Sequence, residues 1–85
     1  VTISEGAGAT LKYYVWLASS APIALTVAEF FRAHDAAAGG VKGTTFTSGE
    51  AINVPSTAGT YNLYALVGND DTWLVTKSAA VTKAS

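Results

Sequence analysis

Residues 58–76 constrain the fold of this chain more than any other stretch. Ala58-Gly-Thr-Tyr-Asn-Leu-Tyr-Ala-Leu-Val67 alternates, with Tyr61, Leu63, Ala65 and Val67 on one face and Asn62, Tyr64 and Leu66 on the other. Gly68-Asn-Asp-Asp71 is a polar turn, and Thr72-Trp-Leu-Val-Thr76 is a second run of β-branched and aromatic residues. Two such runs with period two, joined by a turn, predict an antiparallel hairpin. An isolated hairpin is marginal in water, so the rest of the chain must supply more strands and some cover.

The preceding segments fit that requirement. In residues 9–18, Leu11, Tyr13, Val15 and Leu17 fall on one face and Lys12, Tyr14 and Trp16 on the other, which predicts a strand. Ser19-Ser-Ala-Pro22 closes it, because proline has no ladder donor. The period then changes. Thr26-Val-Ala-Glu29 forms a capping box, and Val27, Phe30, Phe31 and His34 recur at helical spacing. A helix is predicted over about residues 27–38, stopped by Gly39-Gly40. At about three turns it cannot stand alone in water, so Phe30 and Phe31 are expected to anchor it to the sheet.

Val41 to Ser48, with Phe46 as apolar anchor, and Glu50 to Val54, with Ile52 and Val54 on one face, read as two short strands. Pro55-Ser-Thr-Ala-Gly59 is the corner into the hairpin. Val1-Thr-Ile-Ser4 reads as a short edge strand, and the tail continues the last strand through Val81 before turning polar.

Composition narrows the function classes. The chain has 85 residues, enough for one domain spanning residues 1–85. Hydrophobic residues make up 49 % and charged residues 13 %, too apolar for a disordered segment. A net charge of −1 leaves no basic footprint for nucleic acid. No segment approaches the roughly 20 apolar residues of a membrane span, so membrane insertion is not expected. Cysteine is absent, which removes disulfides and thiolate metal sites. The first residue is Val1, so the domain is expected to be a processed product or one unit of a longer chain.

Three segments carry a resemblance: Leu11-Lys-Tyr-Tyr-Val-Trp-Leu17, Ala21-Pro22 with Thr26-Val-Ala-Glu29, and Ala58-Gly-Thr-Tyr-Asn-Leu-Tyr64. In this order they resemble the fibronectin type III-like or immunoglobulin-like modules of bacterial surface and secreted proteins. The resemblance implies an antiparallel β-sandwich with one short helix in a crossover connection, and it implies that Tyr61 is a corner tyrosine. The helix is longer and more apolar than an ordinary sandwich loop.

Chemistry finds little purchase. His34 is the only histidine and lies on the apolar side of the helix near its end, where the dipole favours it. No Gly-x-Ser-x-Gly elbow is present. Lys42 is misplaced relative to a phosphate-loop pattern, and Gly39, Gly40 and Gly43 read as turn glycines. Asn69-Asp70-Asp71, with Glu50, offers calcium oxygens but lacks the Asp-x-Asp-x-Asp spacing. No catalytic residue, cofactor site or metal site is assigned, and the chain is not expected to be an enzyme.

The aromatics Tyr14, Trp16, Tyr64 and Trp73 form the candidate interaction surface. Either the helix covers them, or they make an exposed platform for sugar rings or a neighbouring subunit. The expected role is a non-enzymatic structural or interaction module of an extracellular or cell-surface protein: an adhesin, an appendage or a filament subunit. The alternatives are a virion decoration or tail-associated immunoglobulin-like domain, and a carbohydrate-binding module. The expected partners are copies of the chain or adjoining domains, meeting at a sheet edge or at the Tyr14/Trp16 face. Lys12, Lys42, Lys77 and Lys83 are the only lysines left to guard such edges.

Overall fold

The computed structural model describes residues 9–37, 39–46, 51–69 and 72–84. The architecture is mostly β, an antiparallel sheet of five strands with one short helix among the described residues. In chain order these are β1 (Leu11–Ala18), α1 (Val27–Ala36), β2 (Lys42–Gly43), β3 (Gly59–Asn69), β4 (Thr72–Lys77) and β5 (Val81–Lys83). The sheet runs β2-β1-β3-β4, and β5 also pairs with β3.

The long alternating stretch becomes the central strand. β3 pairs with β1 from Leu11↔Gly68 to Ala18↔Tyr61. Its other side pairs with β4 from Tyr64↔Lys77 to Asn69↔Thr72, so the hairpin loop is residues 70–71, outside the described residues. Flanked on both sides and covered on both faces, β3 is buried continuously from Asn62 to Val67.

β4 and β5 are two pieces of one edge. The register against β3 advances by one residue between Tyr64↔Lys77 and Tyr61↔Val81, which is a β-bulge. Ser78 holds it. The Ser78 amide donates to the Leu63 carbonyl and the Ser78 hydroxyl accepts from the Leu63 amide, each at 2.9 Å. Asn62 Nδ2 donates to the Ser78 carbonyl at 2.9 Å, which satisfies a buried amide. Gly59 opens β3 with φ 155°, a conformation that side chains disfavour.

Each face of the sheet has its own core. On one, Trp16, Leu63, Ala65 and Val67 pack under Phe46 and Ile52, with Val54 alongside. On the other, Val15, Tyr64, Leu66 and Val75 pack under Phe30 of α1. Phe30 is fully buried; Phe31 is half-buried, edge-on to Tyr13 at 5.4 Å.

Helix α1 starts as its capping residue dictates. Thr26 is extended, and its hydroxyl accepts from the Glu29 amide at 3.3 Å. The helix ends at Ala36, earlier than the expected Ala38, because Ala37 is already extended at ψ 151°. The ending is tied to the sheet by Lys42, whose ammonium donates to the His34 carbonyl at 2.8 Å. A cation at a helix C-terminus is favourably placed against the dipole.

Two strands were expected over residues 41–48 and 50–54, and the structure corrects this. Among the described residues of this stretch, strand spans Lys42–Gly43 with a single bridge residue at Ala51, and Ile52 and Val54 cover the sheet from irregular backbone. A Cβ at Gly43 would run into the Tyr14 ring, so the chain approaches β1 closely there. No second sheet is present among the described residues. The expected strand Val1–Ser4 lies outside them, as does part of the expected strand pair at residues 47–50.

Candidate functional site

The four aromatics do not assemble into one surface. Trp16 lies opposite Leu63 and Tyr14 opposite Ala65, which places both on the face covered by Phe46 and Ile52. Tyr64 lies opposite Val15, and Trp73 opposite Gly68, which places both on the helix face. Trp16 and Tyr64 are buried, at 3 % and 1 % exposure. Tyr14 is half-buried, edge-on to Phe46 at 6.4 Å. The helix therefore covers Tyr64 and not the Tyr14/Trp16 row. Alternation fixes the faces within one strand, but the pairing register decides which faces of two strands coincide.

The remaining predicted residues have structural surroundings. The Tyr64 hydroxyl accepts from the Ile23 amide at 3.3 Å, and Lys77 Nζ lies 5.9 Å from its ring centre. Trp16 Nε1 is buried without an acceptor among the described residues. Tyr61 sets a half-buried ring edge-on to Trp16 at 6.5 Å, and its hydroxyl donates to the Thr57 carbonyl at 2.8 Å. His34 is buried and stacks on Phe30. Its Nε2 is 3.1 Å from the Gly43 carbonyl, an oxygen that can only accept, so Nε2 carries the proton.

Asp70, Asp71 and Glu50 lie outside the described residues. Among the described residues no three His, Asp or Glu side chains gather as metal ligands, and no helix is long and apolar enough to cross a membrane. A shallow cleft of about 260 Å³ beside the helix is lined by Ile23, Glu29, Arg32, Ala33 and Ala36. Its walls are mainly apolar, with Glu29 and Arg32 one helical turn apart.

Among the described residues the exposed large apolar side chains are Leu25, ahead of the helix, and Trp73 and Leu74, side by side on β4. Trp73 is 42 % exposed and Leu74 53 % exposed, and adjacent residues of a strand point to opposite faces. Trp73 leans edge-on against Phe31 at 6.3 Å and lies across Gly68. Leu74 pairs with Val67 on the other face, beyond the reach of the Phe46/Ile52 cover.

The backbone of β4 is directional as well. A two-residue hairpin loop makes its flanking residues, Asn69 and Thr72, a hydrogen-bonded pair. Thr72, Leu74 and Thr76 then bond inward to β3, as Ser78 does at the same parity. The Gly68 carbonyl, of opposite parity on β3, turns instead to the Thr10 amide beside β1 at 2.9 Å. It follows that the amides and carbonyls of Trp73, Val75 and Lys77 point out of the sheet.

The chain matches no protein-family model, no curated protein and no solved structure. The site must therefore be read from its own geometry. Among the described residues that geometry is an edge of six residues, Thr72–Lys77, without proline, with one lysine at its far end and an apolar side chain exposed on each face. It offers main-chain hydrogen bonds and apolar contact to an added strand. Trp73 is among the aromatics expected at an interaction surface, whereas Leu74 and Ser78 are not. The signals were present: Leu74 falls on a face with Thr72 and Thr76, and Ser78 interrupts an otherwise continuous β run.

Proposed function

We infer that this chain is a non-enzymatic structural or interaction module of an extracellular or cell-surface protein, and that it engages other protein through the β4 edge. The observation that carries this reading is the outward backbone of Trp73, Val75 and Lys77, flanked by the exposed Trp73 and Leu74. An immunoglobulin-like or fibronectin type III-like sandwich is part of the same proposal. In its favour, Phe46, Ile52 and Val54 cover the face opposite the helix as a second layer would. The Tyr61 hydroxyl bond to Thr57 also suits a corner tyrosine. A sugar-stacking platform has less support, since Trp16 and Tyr64 are buried on opposite faces.

Amide exchange tests the reading. In the isolated chain at high dilution, the Trp73, Val75 and Lys77 amides should exchange much faster than those of Leu74 and Thr76. In the native assembly they should become protected. Open amides there would remove the proposal.

A further inference from the structure

We draw no further inference here: the strongest candidate, the mainly apolar cleft of about 260 Å³ between Ile23 and the Glu29, Arg32, Ala33 and Ala36 side of helix α1, carries none because nothing in the structure shows what fills it.

Discussion

Replacing Phe30 by alanine tests whether the helix is part of the core or a decoration on it. Phe30 is wholly buried among Val15, Tyr64, Leu66 and Val75, stacks on His34 at 5.7 Å and meets Phe31 edge-on at 5.8 Å. Truncating a phenylalanine in such a site costs about 3–5 kcal/mol, from lost transfer energy and the cavity left behind. A chain of 85 residues has about 4–13 kcal/mol in all, at about 0.05–0.15 kcal/mol per residue. The variant should therefore lose much of its stability or fail to fold at ambient temperature. Phe31→Ala, at a half-buried site, should cost roughly half as much. Urea unfolding measures both, and the two tryptophans report separately, because Trp16 lies in the core opposite the helix and Trp73 touches Phe31. An unchanged slope with a lower midpoint is the expected result. If Phe30→Ala unfolds within about 1 kcal/mol of the parent, the helix contributes little to the core and the reasoning fails.

Three smaller perturbations follow from the same contacts. Ser78→Ala removes the acceptor for the buried Leu63 amide and should cost about 1–3 kcal/mol, with faster exchange at Leu63. Tyr61→Phe deletes the bond to the exposed Thr57 carbonyl and should cost about 0.5–1.5 kcal/mol in a thermal melt, toward the low end because water can replace the donor. Gly68→Ala would overlap the Thr72 carbonyl oxygen and bring a methyl to 2.7 Å from Trp73 Cα, so it should lower the melting temperature and loosen the β3–β4 hairpin.

The sequence was most readable where local pattern and tertiary role agree. The alternation of residues 58–67 and 72–76 and of residues 11–17 predicts β3, β4 and β1 closely, because period two is a property of each strand alone. Thr26 and the Val27, Phe30, Phe31 and His34 stripe predict α1 for the same reason. What local pattern does not contain is register. Whether Trp16 lies opposite Leu63 or Tyr64 depends on how β1 slides along β3, and a slip of one residue exchanges the faces. The expected aromatic surface failed on that point. The described residues between 41 and 54 depart from the expectation for another reason: scattered β-branched residues favour extended backbone, but Phe46, Ile52 and Val54 can cover the sheet without belonging to one of its strands. The exposure of Leu74 is likewise absent from local pattern, because it is set by topology.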